Sequence, residues 1–136
     1  MFKVKVISIG KNKEEWLKSA LTEYEKRLHG KMCIEWLFVK NDKELIDWAE
    51  KETYIALDPN GELLSSEAWS AKMLAMGLKI NFIIGGPDGL PQNILQRARF
   101  IWSLSPLTFT HQMTRLILTE QLYRALEIER GSAYHK

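Results

Sequence analysis

The stretch Ile80-Asn81-Phe82-Ile83-Ile84-Gly85-Gly86-Pro87-Asp88-Gly89 decides the fold class. An apolar, β-branched run empties directly into a glycine loop, as a buried strand does when it ends at a turn. A glycine turn at the carboxyl end of a buried strand is where open α/β sheets bind small ligands. A short helix, a strand over Phe100–Ser103 and the polar turn Ser103-Leu104-Ser105-Pro106-Leu107-Thr108 follow. Two such turns therefore fall close together, ahead of one long final helix over Gln112–Glu129.

Outward from this stretch, strand and helix patterns alternate. Phe2–Ile9 reads as a strand ending at Gly10, and Asn12 with Glu15 three residues on reads as a capping box. Leu17, Ala20, Leu21, Tyr24 and Leu28 keep helical spacing. Met32–Val39 is a second strand, and Asn41 with Glu44 opens a short helix through Leu45, Ile46 and Ala49. Thr53–Leu57 is a third strand, which Asp58-Pro59-Asn60-Gly61 is expected to stop. Ser65 and Ser66 cap a helix to about Met76, and Pro91 suits the first turn of a helix through Ile94, Leu95 and Ala98. This βαβα rhythm implies an α/β fold, with a mostly parallel sheet and helices on both faces.

The final helix carries two apolar sets: Met113, Leu116, Ile117 and Tyr123, and Leu118, Leu122, Ala125 and Leu126. One set can cover the chain's own sheet. The other needs a second surface, and a two-fold partner is the economical choice. On that reading Leu118→Glu or Leu122→Glu gives monomers, aggregates or unfolded chain.

The chain has 136 residues and is 46% hydrophobic, which fits one domain over residues 1–136 and excludes disorder. No apolar run approaches the ~20 residues of a membrane helix, so no membrane partner is expected. Cys33, the single cysteine, reads as core and points to a reducing cytoplasm. A net charge of +2 neither announces nor forbids an RNA partner.

Several residues have the chemistry for a site. Gly85 and Gly86 let backbone approach a ligand without an intervening Cβ. Leu57-Asp58-Pro59 offers an apolar wall and a carboxylate, or a plain turn. The segment Ser103–Phe109 offers backbone N–H and C=O groups suited to an adenine edge, or is simply a loop. His111 and Arg115 lie one helical turn apart, and Arg115 suits a phosphate or carboxylate. Tyr134 and His135 close the chain; an aromatic stacks on a base and a histidine moves a proton. The histidines His29, His111 and His135 are too scattered for a metal site.

The stretches Val6–Gly10, Thr22–Leu28, Ala56–Asp58, Ile84–Leu90, Ser103–Ser105, Thr108–Arg115, Glu120–Ala125 and Arg130–Lys136 carry a resemblance. Over essentially its whole length the chain resembles the ribosomal RNA large-subunit methyltransferase H family, of the SPOUT class with an α/β-knot fold. The resemblance implies methyl transfer from S-adenosylmethionine to N3 of a pseudouridine in 23S rRNA within the assembled ribosome. It also implies a homodimer with a C-terminal trefoil knot, which no periodicity foretells.

Carried onto this chain, the cofactor site comprises Leu57, Gly85, Gly86, Leu104, Ser105, Pro106, Leu107, Thr108 and Phe109, with no metal. His111, Arg115, Tyr134 and His135 fall on the substrate side, His135 as base or proton relay and Arg115 for substrate orientation. Tyr134, His135 and Lys136 are then expected to pack near the partner's pocket. Gly86→Val is expected to press on the adenosine. Thr110 replaces the proline that the family usually carries before the residue matching His111. Two alternatives stand beside this. A small flavodoxin-like nucleotide binder needs a phosphate loop after the first strand, where Gly10-Lys11-Asn12 is a poor one. A non-catalytic dimeric RNA-binding protein would take no cofactor.

Overall fold

The chain alternates strand and helix from end to end in a computed structural model that describes residues 1–136. The elements are β1 (Phe2–Ile9), α1 (Glu15–Leu28), β2 (Met32–Val39), α2 (Asp42–Ala49), β3 (Ile55–Leu63), α3 (Ser66–Ala75), β4 (Lys79–Ile84), α4 (Gln92–Arg97), β5 (Phe100–Ser103) and α5 (His111–Arg130). The strands form one sheet in the order β2-β1-β4-β3-β5, and every pairing is parallel. From β1 the chain steps outward to β2, then crosses to build the other half. The order therefore reverses between β1 and β4, the kind of place where an open parallel sheet leaves a crevice at its carboxyl edge.

Both faces are covered, as the alternation requires. Val4, Val6, Phe82 and Trp102 of the sheet pack against Leu28 of α1, Trp69 and Met73 of α3, and Leu118, Leu122 and Ala125 of α5. Trp69 and Trp102 stack with ring centroids 4.1 Å apart and planes 18° from parallel. On the opposite face Ile7, Ala56 and Ile83 meet Leu45 and Ala49 of α2 and Ile94 of α4. Burial of a side chain of this size contributes roughly 1.5–3 kcal/mol, so the two clusters dominate stability.

Local capping holds at two helices and fails at one. Asn41 Oδ1 accepts from the Glu44 N–H at 3.0 Å, and Glu44 reaches back to accept from the Lys40 N–H at 2.7 Å. Ser65 Oγ accepts from the Ala68 N–H at 3.0 Å. Asn12 does not cap α1. Its Oδ1 accepts from Arg115 Nη1 at 2.9 Å instead, and α1 opens behind Glu14, which makes no side-chain cap.

Two further expectations are corrected. Asp58-Pro59-Asn60-Gly61 does not end β3. The strand bulges there, so that Leu57 and Glu62 both face Trp102 of β5. Asp58 Oδ2 accepts from the Asn60 N–H at 2.9 Å, and a Cβ on Gly61 would meet Ile101 at 2.7 Å. The turn residues thus shape a bulge against a neighbouring strand.

Cys33 is exposed, not core. It lies on the edge strand β2 beside Lys3, on the side that two short helices, α2 and α4, leave open at the amino ends of the strands. Leu118 and Leu122 are both 0% exposed inside the chain's own core, so glutamate there disrupts the protomer itself. The set facing outward on α5 begins with Met113, which is 38% exposed.

Candidate active site

A cavity of about 560 Å³ opens at the carboxyl ends of β3, β4 and β5. Leu57, Asp58 and Pro59 form its β3 wall, and Ile84–Pro87 with Gly89 and Leu90 its β4 wall. Leu104, Ser105 and Leu107–Thr110 close it on the β5 side, and His111, Gln112 and Thr114 of α5 supply the far rim. Its volume suits a nucleoside-sized ligand. The structure therefore brings together eight of the nine expected cofactor residues. Pro106, at the crest of the loop, does not face the cavity.

The glycine loop is a tight turn fixed by its own backbone. The Gly89 N–H donates to the Gly86 carbonyl at 3.0 Å, and Gly89 takes a left-handed φ of 81°. A Cβ on Gly85 would stand 2.8 Å from the Gly89 backbone, so only glycine keeps this turn closed. Gly86 differs. Its Cβ would point at Ile9, 3.8 Å away, at ordinary contact distance. The expectation that a side chain at Gly86 presses on an adenosine is thus redirected towards β1.

The loop after β5 is held by Ser103 and Ser105. Ser103 Oγ donates to the Ser105 carbonyl at 3.0 Å, and Ser105 Oγ accepts from the Leu107 N–H at 3.0 Å. No backbone hydrogen bond uses the N–H of Thr108 or Phe109. Both residues line the cavity, and their N–H groups are free to meet a heterocycle edge. Thr110 caps α5, its Oγ1 accepting from the Met113 N–H at 3.2 Å. A proline would lack that hydroxyl, so the threonine keeps the loop end and the helix start joined.

His111 lies on the cavity rim, where burial and then the Arg115 charge hold its pKa below the usual value. Both effects disfavour its charged form. Arg115, one turn on, does not reach the cavity. It is 0% exposed, and all five of its N–H groups are taken. Ser8 Oγ accepts from Nε and Nη2, the Ile9 carbonyl from Nη2, and the Lys11 carbonyl and Asn12 Oδ1 from Nη1. The guanidinium also lies over the Phe38 ring at 5.2 Å. Arg115 thus clamps the β1–α1 loop to α5 and has no N–H left for a substrate.

Tyr134 and His135 pack on the chain's own helices, away from its own cavity. Tyr134 sits edge-on to Tyr123 at 4.8 Å, with the Arg124 guanidinium 4.9 Å from its ring centroid. His135 contacts Arg124 and Glu67. Arg124 stands thirteen residues along α5 from His111, roughly 20 Å at 1.5 Å per residue. A tail held there serves a second cavity or none.

The profile described as "Predicted SPOUT methyltransferase" matches residues 2–135. The chain belongs to the SPOUT methyltransferase family. A relative from Protochlamydia amoebophila (strain UWE25), "Ribosomal RNA large subunit methyltransferase H", is 48% identical over the full length of both chains. Among solved structures, a probable methylase family protein from Haemophilus influenzae Rd KW20 superposes with a TM-score of 0.62 at 12% identity. That match covers 98% of this chain and 70% of the other. The SpoU methyltransferase AviRb from Streptomyces viridochromogenes, solved with AdoMet, gives a TM-score of 0.51 at 11% identity, over 96% and 59% of the two chains. These likenesses place the five-stranded parallel sheet among SPOUT folds.

Sequence reasoning missed the partners of Arg115. Ser8 was the available signal, as a hydroxyl in an otherwise apolar buried strand. It also missed Gln112, whose Nε2 donates to Glu14 Oε1 at 3.1 Å and ties the cavity rim to α1. A backbone hydrogen bond, with Gln112 assisting, holds Glu14 below the ordinary carboxylate range.

Proposed function

We propose that this SPOUT protein is an S-adenosylmethionine-dependent methyltransferase acting on N3 of a pseudouridine in 23S rRNA of the assembled ribosome. The carrying observation is the cavity at the ends of β3, β4 and β5. It is bounded by the glycine turn and the Leu104–Thr110 loop, in a chain 48% identical to a ribosomal RNA methyltransferase along its whole length.

The residues present fit the cofactor. Gly85 admits no Cβ, Leu57 and Leu107 give apolar walls, and the free N–H groups of Thr108 and Phe109 suit an adenine edge. Asp58 is the only carboxylate on the lining and suits hydroxyls or a cationic group. Bound there, the cofactor supplies an electrophilic methyl carbon and a thioether leaving group.

The chain's own part is alignment and charge. The two loops fix the donor, and a substrate base held in line at the cavity mouth reacts without a search for orientation. His111 is on the rim, and burial with the Arg115 charge disfavours its cationic form beside a bound cofactor. Tyr134 and His135 follow α5 and pack back beside Arg124, too far from the rim at His111 to serve their own cavity. We therefore assign them to the cavity of a two-fold partner, in a homodimer packed through the outer face of α5 that includes Met113. A C-terminal trefoil knot belongs to the same reading, as does a cytoplasmic enzyme working on ribosomes.

Calorimetric titration with S-adenosylmethionine tests the cofactor assignment. Saturable binding of one ligand per chain is expected. A folded protein that takes up no ligand would leave the non-catalytic RNA-binding dimer as the better account.

A further inference from the structure

His135 is held on both ring nitrogens. Arg124 Nη1 lies 2.9 Å from Nδ1, and Glu67 Oε1 contacts Nε2. The polarity of both contacts follows from chemistry. A guanidinium has only donors, so Nδ1 accepts; a carboxylate has only acceptors, so Nε2 carries the proton and donates. The two partners thus select one neutral tautomer. Glu67 is on α3 and its side chain is 62% exposed; its carboxyl is held below the usual range chiefly by the bond to His135.

Arg124 is itself fixed. Its Nε donates to Glu120 at 2.7 Å, and its plane lies over the Tyr134 ring. The Tyr134 hydroxyl donates to the same Glu120 at 3.4 Å, and burial pushes its pKa well above the ordinary phenol value. The charged groups facing the imidazole are therefore Glu67 from α3 and Arg124 from α5, with Glu120 behind Arg124.

We propose that Glu67 and Arg124 are positioning residues that hold His135 as the Nε2–H tautomer. Nδ1 is then the tail's one proton acceptor, covered by Arg124 until an imide N–H of the substrate base replaces it. The Nη1–H···Nδ1 contact has the same donor–acceptor sense as an N3–H···Nδ1 contact, so substitution of one for the other needs no proton rearrangement.

The inference rests on the methyltransferase reading, with the tail serving a partner's cavity. In that reading the N3–carbon bond would form as the donor's carbon–sulfur bond breaks, the neutral thioether leaving, and the N3–H bond breaks with it. The proton goes to Nδ1, and the imidazolium then gives that same proton to water as the product base leaves, which restores the Nε2–H tautomer held by Glu67 and returns Nδ1 to Arg124. Arg124, freed from Nδ1, stands beside a carbonyl oxygen of the base as negative charge develops there.

Two readouts on the full-length protein test this. In 15N-histidine-labelled protein without RNA, His135 is expected to show its proton on Nε2 and an unprotonated Nδ1 at pH 8. A proton on Nδ1, or two tautomers in exchange, overturns the positioning claim.

The second readout is the pH dependence of kcat on ribosomes. Glu67→Gln removes the negative partner of the imidazolium that forms in turnover, so the acid limb should move to lower pH by roughly half a unit to one unit. Loss of the cation in Arg124→Gln should move the limb the opposite way. Glu67 is exposed, so its variant tests the idea even if Arg124→Gln folds poorly. Limbs unmoved in folded variants overturn the acceptor role. Wild-type protein with the expected tautomer but no methylation of ribosomes overturns that role too, through the function on which it rests, and leaves the tautomer as a property of the fold alone.

Discussion

Arg115 shows how much a single buried cation determines. Its five donors meet the Ser8 hydroxyl twice, the Asn12 amide oxygen and the backbone carbonyls of Ile9 and Lys11, with no carboxylate hydrogen-bonded to it. Arg115→Met would strand Ser8 and the carbonyls of Ile9 and Lys11 without their donor, at a cost of about 3 kcal/mol or more. Arg115→Lys should recover only part, because one ammonium cannot span the same fork. Urea unfolding of both variants checks this, and a midpoint unchanged in Arg115→Met would contradict the clamp. Glu127 gives a second test at this scale. Arg130 donates to it through Nε at 2.8 Å and Nη2 at 2.9 Å, and Tyr123 at 2.8 Å, which lowers its pKa from 4.5 to about 2, Arg130 being the largest cause. A carboxyl depressed in the folded state contributes stability that is present above its unfolded value and lost as pH falls through the folded one. Stability should therefore decline between about pH 4.5 and pH 2, and Glu127→Gln should flatten that decline. Equal acid slopes in the two proteins would speak against it.

Among the elements, the turn after β4 matters most to the site. Gly85→Ala places a Cβ 2.8 Å from the Gly89 backbone, whereas Gly86→Ala meets only Ile9 at 3.8 Å. Both proteins should fold, but Gly85→Ala should bind S-adenosylmethionine ~10-fold more weakly or worse, about 1.4 kcal/mol, because its turn must open. Calorimetry on the two decides it; equal affinities would detach the turn from the cofactor. This turn was legible in the sequence because its signal is local: an apolar run, two glycines and a Pro-Asp-Gly. The caps at Asn41 and Ser65, and β5 at Phe100–Ser103, were legible for the same reason. Asp58–Gly61 misled because turn chemistry also builds a bulge, and only the neighbouring β5 decides which. Asn12 misled because a cation more than a hundred residues away in the chain takes its side-chain oxygen. The positions of Cys33 and of the tail depend on which helices cover which part of a face, information that no spacing carries.

At the scale of the whole molecule, the account needs two chains and a ribosome. Leu122→Glu should unfold the protomer, since Leu122 is 0% exposed. Met113→Glu, on the outward face, should keep the helical circular dichroism and give monomers in sedimentation at micromolar concentration. A wild-type protein that sediments as a folded monomer would contradict the two-fold assignment of Tyr134 and His135. On the proposed reading, +2 over 136 residues leaves little basic surface, and a pre-shaped ribosomal site supplies the specificity. Activity should also fall as salt rises, because lysines and arginines displace counterions from phosphate. The most direct measurement is methylation of ribosomes from a strain lacking the modification, mapped by mass spectrometry with and without S-adenosylmethionine. The account predicts one cofactor-dependent methyl group on N3 of a 23S rRNA pseudouridine, with little on a naked stem-loop of the same sequence. No incorporation into ribosomes, or equally selective methylation of the naked stem-loop, would contradict it.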